Sequence, residues 1–196
     1  MIAEPIQVLL SIVERLDRLE IQYAVGGSLS SSVFGEPRSS ADVDLLVALR
    51  PVQVAPLTAA LQDEFYVDGD AVLEAVRRHA SFNVIHLATM LKGDLFVAGS
   101  HLLDREQLRR RREIVIAQDP PRRAFVTAPE DVVLRKLDWY RRGGGVSDQQ
   151  WRDVLGVLKA QGSTIDRGYL LTTARASGLD DLLARALIDA GLSSSG

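Results

Sequence analysis

A glycine pair and an alternating pair of acids, each set beside apolar residues, constrain this chain more than any other feature. Residues 26–28 read Gly-Gly-Ser and follow a short apolar run, while Asp42 and Asp44 alternate with valine and leucine in the next apolar run. Alternate residues of a strand share a face, so both carboxylates are expected to point the same way. Two like charges held that close repel each other and favour protonation unless a cation lies between them.

This arrangement predicts a site for a metal ion and a phosphate group. Carboxylate oxygens suit Mg²⁺, and Mn²⁺ is an acceptable substitute. A glycine-rich turn that leads into a helix offers backbone N–H groups to a phosphate, which makes Gly27 and Ser28 candidate nucleotide-binding residues. The alternatives are a tight turn that needs a positive φ and a pair of solvent-exposed acids on a strand.

Composition narrows the class of protein. The chain has 196 residues, a net charge of −3 and no cysteine, so disulfides, thiolate metal sites and cysteine nucleophiles are excluded. The negative charge argues against a surface built for nucleic acid, although it leaves a local basic patch open. The longest apolar runs are too short to cross a membrane. Because no secretory signal is visible either, we expect a cytoplasmic protein without a membrane partner.

Hydrophobic periodicity predicts an α+β fold, a mixed sheet flanked by helices with a helical C-terminal part. Helices are predicted over residues 5–20, 28–33, 54–61, 71–78, 104–112, 129–140, 147–158, 167–176 and 179–190. Strands are predicted over residues 21–25, 43–48, 82–87, 93–97, 114–116 and 124–127. The predicted division is an α/β core over residues 1–127, a helical subdomain over 128–191 and a flexible tail over 192–196.

The G-G-S and D-V-D motifs together resemble the signature of the polymerase-beta-type nucleotidyltransferase superfamily. That resemblance implies bound Mg²⁺ and transfer of a nucleoside monophosphate from a nucleoside triphosphate such as ATP. It also calls for a third carboxylate on a later strand, and Asp94 in L-K-G-D-L-F-V matches it. By resemblance, Asp42, Asp44 and Asp94 are catalytic metal ligands, and Asp94 is a base, a metal ligand or both. Arg38 matches an arginine that binds phosphate.

The segment A-P-E-D-V-V-L-R-K-L resembles AbiEii-type nucleotidyltransferases, which are toxins of bacterial toxin–antitoxin pairs. The resemblance implies that Lys136 contacts nucleotide phosphates. It also places Arg152 and Asp153 as the basic–acidic pair of the next helix, in a possible supporting role. An antitoxin protein is then an expected partner. The alternative is that Lys136 is an exposed residue without a functional role, next to the buried apolar face of its helix.

Several alternatives stay open. The acceptor hydroxyl could belong to RNA, to a small molecule such as an aminoglycoside, or to a protein. The basic run of residues 109–112 favours RNA, and the negative net charge favours the other two. The same run also fits a solvated helix face. Aromatic residues Trp139, Tyr140 and Trp151 are expected to be packing residues. The alternative function is a non-catalytic nucleotide- or partner-binding protein that keeps the fold.

Overall fold

The computed structural model describes residues 3–37 and 42–192. Within them the strands are β1 (Tyr23–Val25), β2 (Asp42–Val47), β3 (Phe65–Tyr66), β4 (Ser81–His86), β5 (Lys92–Val97), β6 (Arg112–Ala117) and β7 (Arg122–Val126). The helices are α1 (Glu4–Arg18), α2 (Gly27–Phe34), α3 (Pro51–Leu61), α4 (Gly69–Arg78), α5 (Leu102–Arg110), α6 (Pro129–Arg142), α7 (Asp148–Gln161), α8 (Arg167–Ala176) and α9 (Asp180–Asp189).

The strands form one mixed sheet with the order β3-β4-β5-β2-β1-β7-β6. The central strand β2 pairs antiparallel with β1 and parallel with β5, and β1 pairs parallel with β7. The outer pairs β3–β4, β4–β5 and β6–β7 are antiparallel. This architecture confirms the α+β class that the periodicity predicts.

The two faces of the central strands carry different residues because strand side chains alternate. Val43, Leu45 and Leu95 lie on one face and are fully buried. Helix α1 covers this face, since a Cβ added at Gly93 would lie 3.0 Å from the Cδ1 atom of Ile12. Asp44, Asp94 and Phe96 lie on the opposite face. Helix α6 covers that face, with the Trp139 ring 5.2 Å from the Phe96 ring.

Every predicted helix and strand is present, with boundaries shifted by a few residues. The prediction from the sequence omits β3, a two-residue strand, and a 3-10 turn at Gly162–Thr164. It also continued α5 too far, because Arg112 is the first residue of β6 rather than the end of the helix. The division at residue 127 stays a prediction. Of the predicted tail, residues 193–196 lie outside the described residues. Its first residue, Leu192, donates its N–H to the Leu187 carbonyl over 2.8 Å.

Candidate active site

The turn between β1 and α2 is built against the side chain of Asp44. The N–H of Gly26 donates to the Asp44 carbonyl over 2.9 Å, and the Ser28 backbone hydrogen-bonds the Asp44 carboxylate. Gly27 has a φ of +54°, and a Cβ there would overlap the carboxylate and lie 2.7 Å from the Asp44 Cβ. The glycine is therefore required both by the backbone conformation and by the close approach.

The carboxylates of β2 and β5 meet in register. Asp44 is the Cα partner of Asp94, and Asp42 is the partner of Lys92. Aligned residues on neighbouring strands place their side chains on the same face, with the strands about 4.8 Å apart. Asp44 and Asp94 are half-buried, and Asp42 is exposed at the start of β2. The acids that lie 50 residues apart along the chain are thus neighbours on the sheet.

The electrostatics of Asp44 reflect this crowding. Burial raises the pKa of the Asp44 carboxyl above its ordinary value, and the negative charges of Asp94 and Asp42 raise it further. The charge of Lys136 and the hydrogen bond from Ser28 act in the opposite direction without cancelling the rise. A half-buried acid next to like charges is stabilised by any cation that approaches it.

Lys92 supplies one such cation. Its Nζ lies 2.9 Å from the Asp94 Oδ2 atom. The hydrogen bond and the charge of Asp94 raise the pKa of the Lys92 ammonium. Lys92 was not singled out in the sequence, although its place two residues before Asp94 in a strand already implied a shared face.

The chemistry of these side chains fits a hard divalent cation. Asp44 and Asp94 offer carboxylate oxygens from adjacent register positions, and their mutual repulsion, seen in the raised Asp44 pKa, is what a cation relieves. Asp42 stands at the open end of the same face. Within residues 3–37 and 42–192, no three acidic or histidine side chains are already gathered closely enough to hold a metal.

Lys136 is not an exposed helix residue. It is 6% exposed, and its Nζ lies 2.7 Å from the Oδ2 atom of Asp153 on α7. Both side chains are almost fully withdrawn from solvent. Because Lys136 also contributes its charge to the Asp44 carboxyl, the α6–α7 ion pair stands beside the carboxylate site. Asp153 holds the ammonium there.

A cavity of about 840 Å³ lies over this face of the sheet. Its lining includes Gly27, Ser28, Asp44, Lys136, Phe96 and Trp139. Trp139 is a packing residue, as predicted, but it is 43% exposed and does not lie in the core. Its ring packs edge-on against Phe96 and forms a wall of the cavity, whereas Tyr140 is buried as expected. Helix periodicity cannot distinguish a residue that faces the core from one that faces a cavity within it.

A second group of side chains, on α5 and α6, lines the same cavity. The guanidinium of Arg135 donates to Gln107 over 2.8 Å and to Asp104, and its Nη1 lies 3.5 Å from the Asp138 carboxylate. No local pattern in the sequence indicates this network, because Asp104 and Gln107 belong to α5 whereas Arg135 belongs to α6. Held at both sides by acids and an amide, Arg135 is a fixed positive charge in the cavity wall.

The predicted pair Arg152 and Asp153 is not among the residues that line this large cavity. Arg152 lines a smaller cavity of about 290 Å³ together with Asp153, Glu36 and Gln149. Arg38 lies outside the described residues, so its predicted phosphate contact stays a prediction. The structure thus brings together six of the predicted positions, Gly27, Ser28, Asp42, Asp44, Asp94 and Lys136.

The basic run of residues 109–112 is engaged within the protein. Arg109 pairs with Glu106, Arg110 pairs with Glu130 and Asp131, and Arg112 lies 3.5 Å from Glu130. The guanidinium of Arg111 stacks over the ring of Phe125 at 4.6 Å. Each arginine of the run thus has a partner within the protein, while Arg109 and Arg112 stay exposed to solvent as the solvated-face alternative expects.

No family model matches the chain, and no curated protein matches it. Solved structures do. ANT(2'')-Ia, in complex with adenylyl-2''-tobramycin, is 10% identical with a TM-score of 0.59, and the match covers 89% of this chain and 99% of that one. An antigenic nucleotidyltransferase-like protein from Paracoccidioides brasiliensis is 19% identical with a TM-score of 0.55, covering 95% and 94%.

A putative nucleotidyltransferase from Thermotoga maritima is 16% identical with a TM-score of 0.50, covering 78% of this chain and 96% of that one. At such low identity the likeness concerns the fold. Separately, none of the helices in the described ranges has the length and apolar character needed to span a bilayer. The mixed sheet flanked by helices, together with these structural similarities, identifies the chain as having a nucleotidyltransferase-like fold.

Proposed function

We propose that this chain is a Mg²⁺-dependent nucleotidyltransferase that moves a nucleoside monophosphate from a nucleoside triphosphate to a hydroxyl acceptor. The observation that carries the proposal is the contact of the Gly27–Ser28 turn with Asp44, whose register partner on β5 is Asp94. The candidate phosphate-binding turn and Asp44 line one cavity, and Asp94 lies beside Asp44 on the next strand. The likeness to nucleotidyltransferase structures supports the same reading.

The triphosphate binds at the start of α2 in this proposal. The first N–H groups of a helix have no partner inside it and favour an anion. Lys136 faces the same cavity from α6, and its ammonium offsets phosphate charge. Asp42, Asp44 and Asp94 would hold the divalent cation, which when bound neutralises charge on the phosphates and stabilises the entering and leaving oxygens.

The transfer step follows from the position of Asp94. The acceptor hydroxyl oxygen attacks the α-phosphorus, the bond to the β-phosphate bridging oxygen breaks, and pyrophosphate leaves. The proton of the hydroxyl passes to a carboxylate oxygen of Asp94. Entering and leaving oxygens lie in line. With pyrophosphate at α2, beside β1 and β2, the acceptor is expected on the side of β5.

A small molecule is the acceptor that we favour. On β5 the residue that follows Asp94 on the same face is Phe96, whose ring packs against Trp139 in the cavity wall. A half-exposed aromatic pair suits a ring-bearing ligand. The structure of ANT(2'')-Ia contains adenylyl-2''-tobramycin, a nucleotidylated small molecule, which supports the same choice.

A toxin that modifies RNA is the second candidate. The segment that resembles AbiEii-type proteins contains Lys136, and the lysine and the matching Asp153 form a buried pair although 17 residues separate them. That pairing is the observation in its favour. The engagement of residues 109–112 by internal partners argues against a free basic patch for RNA.

Two measurements test the proposal. Calorimetric titration of each ribonucleoside triphosphate, with and without Mg²⁺, should show metal-dependent binding that Asp44→Asn abolishes. Asp70→Asn, at an exposed acid on α4, should bind like wild type. Radiolabelled transfer with tobramycin, bulk tRNA and the protein itself as acceptors then separates the three classes. If well-folded wild type binds no triphosphate under any condition, the proposal fails.

A further inference from the structure

The face of the sheet that carries the carboxylates also carries a lysine. Asp42 and Lys92 form one register row, and Asp44 and Asp94 form the next. Because all four residues alternate in phase along β2 and β5, their side chains project from one face. Three negative charges and one positive charge therefore occupy a patch that spans three residues along each of two strands.

The ammonium of Lys92 lies where a cation is most stabilised. It contacts the Asp94 carboxylate over 2.9 Å and interacts electrostatically with Asp42 and Asp44 as well. A lone surface pair of this kind contributes little to folding. Its placement among three acids is instead the placement of a counter-ion.

The lysine is also able to leave. Its side chain is 41% exposed, whereas that of Asp94 is 18% exposed. A four-carbon stem with a strongly hydrated head moves into water at low cost. Asp94 lies within β5, whose backbone is paired with β2 on one side and β4 on the other.

We propose that Lys92 is an internal counter-ion that holds the site in its metal-free state and leaves Asp94 when a divalent cation binds. This inference rests on the proposed function, because it assumes a cation at Asp44 and Asp94. Lys92 thereby sets the metal affinity of the site.

Mn²⁺ binding to the full chain, measured by calorimetry and by electron paramagnetic resonance, tests the inference. Lys92→Met removes the competing charge and should bind Mn²⁺ at least about tenfold more tightly than wild type, given the effect of one neighbouring charge. Lys92→Arg retains the charge and should stay within about threefold of wild type. Lys159→Met, at an exposed lysine of α7, should bind Mn²⁺ with the affinity of wild type.

Thermal unfolding separates this role from a purely structural one. Metal-free Lys92→Met should melt below wild type, because the three acids repel each other, and Mn²⁺ should raise its Tm by more than it raises that of wild type. If Lys92→Met melts lower but binds Mn²⁺ no more tightly, the lysine is structural and the inference is wrong. Weaker Mn²⁺ binding by Lys92→Met overturns it too.

Failure of the proposed function gives a different result. If neither wild type nor Lys92→Met binds Mn²⁺, with or without ATP, the metal site itself is absent and both proposals fall. If wild type binds Mn²⁺ and loses it in Asp44→Asn, the metal site stands. The comparison of Lys92→Met with wild type then decides the inference alone.

Discussion

Only glycine fits at position 27, directly beside the carboxylate of Asp44. A Cβ at position 27 would overlap the carboxylate, and the φ of +54° disfavours every residue with a side chain. The same close approach lets the Ser28 backbone hydrogen-bond the acid. One residue thus joins the proposed phosphate-binding turn to the carboxylate pair.

Gly27→Ala should therefore displace Asp44 as well as strain the turn. We expect loss of triphosphate binding and a decrease of about 2 kcal/mol or more in the free energy of unfolding, from the positive φ and the overlap together. Gly144→Ala is the matched control, because Gly144 has a φ of +78° with nothing within 4 Å of its added Cβ. Urea unfolding and calorimetry measure both effects. Equal losses in the two variants would contradict the overlap argument.

The raised pKa of Asp44 predicts how stability depends on pH. In the metal-free protein, the folded state binds the Asp44 proton more tightly than the unfolded state does. The contribution of this carboxyl to the free energy of unfolding is therefore fully present below pH 3.8, the ordinary pKa, and is lost as the pH rises through the raised pKa of the folded state. Asp44→Asn removes that loss, so at neutral pH the variant should unfold at higher urea than wild type in EDTA. At about pH 4 the two proteins should unfold at the same urea concentration. If the variant is less stable than wild type at neutral pH, the charged Asp44 carboxylate does not destabilise the folded protein and the prediction is wrong.

The buried pair of Lys136 and Asp153 predicts a separation of stability from binding. Asp153→Ala leaves the ammonium without its carboxylate and should cost about 3 kcal/mol of unfolding free energy. The double variant Lys136→Met with Asp153→Leu should recover most of that stability, since it removes both charges. Triphosphate binding should stay weak in both. Recovered binding in the double variant would show that Lys136 does not contact phosphate.

The acidic cluster at the start of α6 predicts a structural role for Tyr169. Its hydroxyl donates to Asp131 over 2.5 Å, and Asp131 is 1% exposed, so burial raises the pKa of that carboxyl. Tyr169→Phe removes the donor from a buried acid and should lower the free energy of unfolding by about 1–3 kcal/mol. The control is Tyr66→Phe, at a tyrosine 61% exposed. Nucleotide binding at low temperature should survive in both variants.

Helix and strand positions were predictable because their signals are local. The heptad-like apolar spacing of α1 and the alternation in β2 and β5 lie within single segments. Strand β3 was missed, since two residues are too short to show alternation. The clustering of Asp44 with Asp94 was inferred from a family resemblance rather than from the residues alone.

The sequence by itself determined the local elements of the candidate site: a glycine turn after an apolar run and an alternating acid pair in a strand, each visible within a short segment. Tertiary structure decided what surrounds them. The parallel register of β2 and β5 brought Lys92 into the acid cluster, α6–α7 packing buried Lys136 against Asp153, and α6 turned Trp139 into a cavity wall. Each of these contacts joins segments far apart in the chain, and local periodicity carries no information about which distant segments will meet.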